Sequence, residues 1–237
     1  ESEKRRQLEY DALGRLTSVC EITTAIGSAS CAQSNSGAGF LTSYEYNVLG
    51  NLLHVTQNAQ ATSDHQQRTF TYDKLGRLKS EQNPENGTVS YTYDQESGLN
   101  PVCGATAYKG DLVKRVDTMG NVSCYSYDSM HRLIAITYPT GTYASVTPEK
   151  HFVYDNASLT YNGSAITMQF TNGRLARAYT EQDDEVITDL LFSYTARGEV
   201  AAVYQLTPNS GGYHKISGSY WPNGALNILN QIKHATG

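Results

Sequence analysis

Tyr72-Asp73-Lys74-Leu75-Gly76-Arg77-Leu78 is the stretch that decides how this chain folds. Its aspartate can accept hydrogen bonds from backbone N–H groups just downstream, and Gly76 takes a left-handed conformation at no steric cost. A type I turn followed by a left-handed residue closes short hairpins, so the segment predicts two antiparallel strands meeting at a turn. The pattern recurs at Tyr10-Asp11-Ala12-Leu13-Gly14-Arg15-Leu16. Variants stand at Tyr46-Asn47-Val48-Leu49-Gly50-Asn51-Leu52 and at Tyr127-Asp128-Ser129-Met130-His131-Arg132-Leu133. Where His131 replaces the glycine, a strained or differently closed turn is expected.

Working outward, a looser glycine turn alternates with the first type. It is seen at Pro84-Glu85-Asn86-Gly87, Asp117-Thr118-Met119-Gly120-Asn121 and Tyr138-Pro139-Thr140-Gly141. The turn positions Gly76, Gly87, Gly98, Gly110, Gly120, His131 and Gly141 follow one another about every eleven residues. A fixed internal period marks one repeated supersecondary unit. Between turns the residues alternate as strands do: Val89, Tyr91 and Tyr93 share one face, and Thr88, Ser90 and Thr92 the other. Phe70-Thr71-Tyr72, Phe152-Val153-Tyr154 and Phe192-Ser193-Tyr194 read as further strands entering a tyrosine turn. Helical periodicity appears only near Asn227 to His234. The expected fold is all-β, an antiparallel up-and-down meander of roughly 15–20 strands. Twisted open sheets rarely exceed ~10 strands without curling, so the meander is expected to curl.

Composition fits half-wet sheet faces better than a dry core. The chain has 18 Tyr and 20 Gly against 5 Phe, 1 Trp and 3 Met in 237 residues. Its formal net charge is −5, and the only basic tract is Lys4-Arg5-Arg6, so the electrostatic footprint of a nucleic-acid binder is missing. No apolar run is long enough for a membrane span. The start at Glu1, without methionine or a signal-like segment, reads as a piece of something longer. An even cysteine count in a turn-rich chain favours local disulfides, Cys20 with Cys31 and Cys103 with Cys124, and an oxidising compartment. Four free thiols are the alternative; zinc is disfavoured because no Cys-x-x-Cys pair exists.

The tyrosine turns resemble the YD repeats of the Rhs family, on Tyr10–Leu16, Tyr46–Leu52, Tyr72–Leu78 and Tyr127–Leu133. Degenerate copies at Phe170–Leu175, Tyr194–Gly198 and Tyr220–Gly224 extend the resemblance over nearly the whole chain. It implies one YD/Rhs-repeat array over 1–237, with an irregular insertion about 20–43 and its most regular stretch at 70–142. It also implies a spiral, hollow β-shell, which in bacterial members and toxin-complex cocoons encloses a C-terminal toxin and in animal teneurins belongs to an adhesion receptor. Asp94-Gln95-Glu96-Ser97-Gly98-Leu99 is a superficial echo of the Asp-Pro-x-Gly-Leu core that ends bacterial shells, without its proline.

Residues that could carry chemistry each have a structural reading. The histidines His54, His65, His131, His151, His214 and His234 share no spacing, and no nucleophile elbow, zinc helix or phosphate loop is present. Asp11, Asp73, Asp94 and Asp128 hold the same turn position, which favours capping over catalysis. Arg15, Arg77, Arg132 and Arg174 are expected to pair with these acids or stack on tyrosines. Glu181-Gln182-Asp183-Asp184-Glu185 reads as a solvated acidic loop rather than a calcium site. The tyrosines form cross-strand ladders or, alternatively, display rings to a sugar or peptide. Sequons stand at Asn86, Asn121, Asn156 and Asn162.

The expected site is therefore structural. Its turn residues are Tyr10, Asp11, Gly14, Arg15, Tyr46, Gly50, Tyr72, Asp73, Gly76, Arg77, Asp117, Gly120, Tyr127, Asp128 and Arg132, with no catalytic residue, metal or cofactor. The expected role is a non-enzymatic shell segment of a secreted or surface protein that encloses or scaffolds a cargo. An adhesion or carbohydrate-binding module is the alternative. Expected partners are further repeats of a parent chain, or self-association through open sheet edges. An enclosed polypeptide and a glycan are further candidates.

Overall fold

In the computed structural model, β1(Arg5–Tyr10) and β2(Leu16–Ile22) flank the first tyrosine turn, and β3(Gly39–Tyr46) and β4(Leu52–Gln57) the second. Next come β5(Gln66–Tyr72) and β6(Leu78–Asn83), β7(Gly87–Tyr93) and β8(Leu112–Val116), and β9(Val122–Tyr127) and β10(Leu133–Thr140). Then follow β11(Glu149–Tyr154), the small pair β12(Ser158–Tyr161) and β13(Ser164–Thr167), and β14(Leu175–Gln182). The last strands are β15(Glu185–Tyr194), β16(Val200–Leu206), β17(His214–Tyr220) and β18(Leu226–Ile232). The structure describes residues 5–23, 31–33, 38–61, 63–94, 101–104, 109–161 and 163–232. Lys4, most of the 26–39 stretch, Gly98, Asn162 and His234 lie outside them.

The strands run in chain order as an antiparallel meander of 16, with β12–β13 a separate pair interposed between β11 and β14. No described residue lies in an α-helix, and Ala144–Val146 form one 3-10 turn. The helical expectation near Asn227 is corrected: Leu226–Ile232 is a strand, paired with β17 from Tyr220↔Leu226 to Lys215↔Ile232. Its alternation of Leu226, Ile228 and Asn230 suits a pleat, and pairing overrides the weak helical period.

Contacts divide the chain into two units, Glu1–Thr92 with Arg115–Met119, and Tyr93–Lys114 with Gly120–Gly237. In the first, consecutive strands pair from β1 to β7, and Cys20, Val89 and Ser18 are buried. A Cys20–Cys31 disulfide fastens the segment after β2 to that strand, and Gln33 Nε2 donates to Ser18 Oγ beside it.

In the second unit, a Cys103–Cys124 disulfide fastens the segment after β7 to β9, and Val113 and Val122 are buried in the same unit. The segment after β11 is held by packing instead. Ala157 and Met168 join Ala176, Leu191, Ala202 and Tyr204 in one apolar cluster, with Leu159 and Ile166 of the small hairpin against it. Insertions therefore supply the cover that a sheet poor in Phe, Leu and Met lacks on its own.

Candidate functional site: the tyrosine-turn ladder

Each tyrosine turn is built in the same way. Asp73 N–H donates to the Arg77 carbonyl at 2.9 Å and Gly76 N–H to the Asp73 carbonyl at 3.0 Å. The Asp73 carboxylate accepts from Leu75 N–H at 2.8 Å and Arg77 N–H at 2.9 Å, and its other oxygen takes Arg77 Nε at 2.7 Å. Asp11 with Arg15, and Asp128 with Arg132, repeat every one of these contacts. The ladder register shifts just before the tyrosine, between Glu9/Tyr10, Glu45/Tyr46, Thr71/Tyr72, Val153/Tyr154, Ser193/Tyr194 and Ser219/Tyr220. This is the bulge that a type I turn with a left-handed closing residue produces.

Hydrogen bonding sets the charge state of these acids. Asp11 and Asp73 are held below the usual carboxylate range, first by the backbone N–H of Arg15 and Arg77 respectively. For Asp128, desolvation opposes the shift, and the Arg132 N–H and guanidinium outweigh it. His131 corrects the expectation of a different closure. Its φ is 60°, and its N–H donates to the Asp128 carbonyl at 3.0 Å as Gly76 does to Asp73. Its Nδ1 lies 2.9 Å from Asp111 Oδ2.

Two further turns of this kind are split, and sequence reasoning missed both. Asp155 N–H donates to the Arg174 carbonyl at 3.1 Å, and Tyr154 pairs with Leu175 just as Tyr72 does with Leu78. Gly173-Arg174-Leu175, the end of the degenerate copy Phe170–Leu175, is thus the closing half of a turn opened by Tyr154-Asp155, with residues 156–172 inserted. Likewise Asp94 N–H donates to the Asp111 carbonyl at 2.8 Å, and Gly110 N–H donates to Asp94 Oδ1. Tyr93-Asp94 and Gly110-Asp111-Leu112 are therefore the two halves of one turn. Asp94 opens it, and that is its role rather than the echo of a cleavage core. The half-motifs Tyr-Asp and Gly-x-Leu were the available signal.

The turns also grip one another. Tyr46 Oη donates to the Leu16 carbonyl at 3.0 Å, Tyr194 Oη to that of Leu175 at 2.8 Å, and Tyr220 Oη to that of Val200 at 2.8 Å. Each hydroxyl thus reaches the first strand residue after the preceding turn. Guanidinium groups cover two of these rings and that of Tyr154: Arg15 lies over Tyr46 at 4.9 Å, Arg174 over Tyr194 at 5.5 Å and Arg132 over Tyr154 at 4.4 Å. Arg15 Nη1 donates to the Asn47 carbonyl at 3.1 Å, and Arg132 forks onto Asp155 at 3.2 and 2.7 Å. Arg132 is thereby held in its charged form, first by Asp155 and then by Asp128. Asp155 is lowered by that same contact and by Gly173 N–H.

The looser turns line the other ends of the strands. Asp117 caps Met119 N–H at 2.9 Å ahead of Gly120, whose φ is 79°. Asp183 and Asp184 take φ of 52° and 62° as the tight turn between β14 and β15, so the acidic run serves as hairpin chemistry. A cavity of about 330 Å³ beside them is lined by Tyr138, Ser145, Glu149 and Glu181 among others. No group of metal-ligating side chains occurs among the described residues.

Among the described residues the most buried charge is Asp189, at 1% exposure. Arg177 grips it through Nε at 2.9 Å and Nη2 at 2.8 Å, and Tyr213 Oη donates to it at 2.6 Å. Burial, then this bond, pushes the Tyr213 phenol well above its ordinary range. Arg177 in turn lies 4.2 Å from the Tyr179 ring centre.

Fold and ladder together define a YD-repeat β-meander. Residues 108–143, from the closing half of one split turn through the whole Tyr127–Leu133 turn, match the family model RHS Repeat. The chain carries an RHS repeat. No curated protein matches it. Among solved structures it is similar to TcdB2-TccC3-TEV, at 13% identity and TM-score 0.42 over 96% of this chain and 14% of that one. It is also similar to the Photorhabdus luminescens Tc holotoxin pore, at 14% identity and TM-score 0.43 over 95% of this chain and 14% of that one. The chain thus spans 14% of the length of each of these. No described helix is long and apolar enough to cross a membrane.

Proposed function

We propose that this chain is a structural, non-enzymatic segment of an Rhs/YD-repeat β-shell in a secreted or surface protein, and that the wall it builds encloses or scaffolds a polypeptide cargo. The observation that carries this reading is how the recurring side chains are used. The turn aspartates cap their own backbones, the arginines reach the following turn, and the tyrosine hydroxyls bond the preceding one. Asp11, Asp73 and Asp128 are shifted towards the ionised form, the wrong direction for a general acid at neutral pH. At Tyr46 and Tyr194 the ring is covered by guanidinium and the hydroxyl is bound to a carbonyl, which leaves a sugar little to stack on or bond there and favours the wall over a carbohydrate-binding face. The match to an RHS repeat supports the same reading.

Electron cryo-microscopy and limited proteolysis of the full polypeptide that contains this segment test it. A hollow wall with protease-protected polypeptide inside is expected. A filled sandwich, or a wall with no protected segment, would overturn the proposal.

A further inference from the structure

Four Asn-Gly pairs stand in the sequence, at Asn86, Asn162, Asn172 and Asn223. In such a pair the glycine nitrogen can close a five-membered ring on the asparagine side chain, because no Cβ shields it. Asn162 lies outside the described residues. The other three asparagines all sit in turns, and what the fold varies between them is hydrogen bonding.

At Asn172 the attacking nitrogen is occupied. Gly173 N–H donates to Asp155 Oδ1 at 2.7 Å, and an anion in contact opposes loss of that proton. At Asn223 both groups are held: Gly224 N–H donates to the Trp221 carbonyl at 2.8 Å, and Asn223 Oδ1 accepts from Ala225 N–H at 3.0 Å. Asn86 is arranged otherwise. It is exposed, and among the described residues its side chain has no hydrogen-bond partner. Gly87 stands opposite Asn83 in the last pair of the β6–β7 ladder, a place where ladders fray. The neighbouring acid, Glu85, is engaged by Arg68 Nη2 at 2.6 Å, which offsets its charge beside the pair.

We infer that Asn86 is a modification site, converted to aspartate and isoaspartate ahead of Asn172 and Asn223. The Gly87 nitrogen loses its proton to water and attacks Asn86 Cγ. The N–Cγ bond forms, the Cγ–Nδ2 bond breaks, and ammonia leaves. Water then opens the cyclic imide at either carbonyl, so no oxidant or reductant is needed. Isoaspartate adds a methylene to the backbone and a negative charge next to the Glu85–Arg68 pair. Space at Gly87 is short, since a Cβ there would meet Thr118 Cγ2 at 3.1 Å. The product is also a substrate for a carboxyl methyltransferase that uses S-adenosylmethionine and recognises isoaspartate. None of this depends on whether the wall encloses cargo.

Peptide mapping by mass spectrometry tests the inference, on the full polypeptide containing this segment, aged in mildly alkaline buffer with and without urea. In the folded protein Asn86 is expected to convert about tenfold faster than Asn172, whose glycine N–H is held by a charged acceptor. Asn223 is expected to lag as well. In urea the three rates are expected to converge, because Asn172 and Asn223 lose their hydrogen bonds. Asn86→Gln, at an exposed side chain, removes most of the methyl acceptance that builds up in the aged folded protein. An Asn86 that stays intact, or converts no faster than Asn172 or Asn223, would overturn the inference. So would an ordering that survives unchanged in urea, since the fold would then not be its cause.

Discussion

Gly173 donates its backbone N–H to Asp155 Oδ1 at 2.7 Å across 18 positions of sequence. The same aspartate position in the contiguous turns holds amides only two and four residues away, as Asp73 does with Leu75 and Arg77. One turn chemistry therefore closes a tight hairpin or clamps the mouth of an inserted segment.

The turn carboxylates make stability acid-sensitive. Their folded pKa values lie below the ordinary 3.8, so their contribution is complete above that value and is lost as pH falls through the lowered ones. Urea unfolding is expected to show stability falling below about pH 4. Asp73→Asn is expected to keep its turn, because Asn47 already holds Leu49 and Asn51 N–H at 2.9 Å each. It should show a shallower acid loss than wild type; an unchanged slope would contradict the assignment.

Asp189→Ala leaves Arg177 and Tyr213 facing a buried void. A loss of about 3 kcal/mol is expected in urea titrations. Tyr213→Phe removes one hydroxyl bond and is expected to cost about 1 kcal/mol. Equal small effects from both would mean the cluster is wetter than its 1% exposure implies.

His131→Gly relieves a non-glycine residue at φ 60° and is expected to stabilise the chain by about 1 kcal/mol. The His131–Asp111 contact it gives up is half exposed on the histidine side, and such pairs contribute little. The converse change, Gly76→Ala at φ 79°, is expected to destabilise by about 1 kcal/mol although Cβ has room beside Asn51. Thermal unfolding of the pair checks that the two shifts have opposite signs.

Reduction should loosen both units. The disulfides close sequence separations of 11 and 21 residues, and removing either one by a paired Cys→Ser change is expected to cost about 3 kcal/mol. Melting curves with and without reductant measure this, and identical curves would show the cross-links to be dispensable.

What could be read from residues alone followed from contiguity. Tyr72–Leu78 carries its whole turn in seven neighbouring positions, so composition and order sufficed to place a hairpin there. The Tyr154 and Gly173 halves are separated by a folded hairpin, and no local window contains both. The even beat through Gly87, Gly98 and Gly110 hid the second split turn, because its two halves open at Tyr93 and close at Leu112. Arg15 and Arg132 were legible as partners of their own aspartates. Their grip on the following turn was not, because it depends on strand stagger that only pairing reveals. Asp189 carries no motif at all, and its role emerges only from burial.

The clamp at Asp155 has a consequence for how such chains lengthen. Since Asp155 N–H to Arg174 O and Gly173 N–H to Asp155 Oδ1 already fix the two ends of the insertion, the closure entropy of whatever lies between is met at the mouth and grows only slowly with length. Residue number and strand number are thereby decoupled. A turn of this design is a docking port for foreign sequence, where a grafted loop or small domain can be carried without changing the pitch of the sheet behind it.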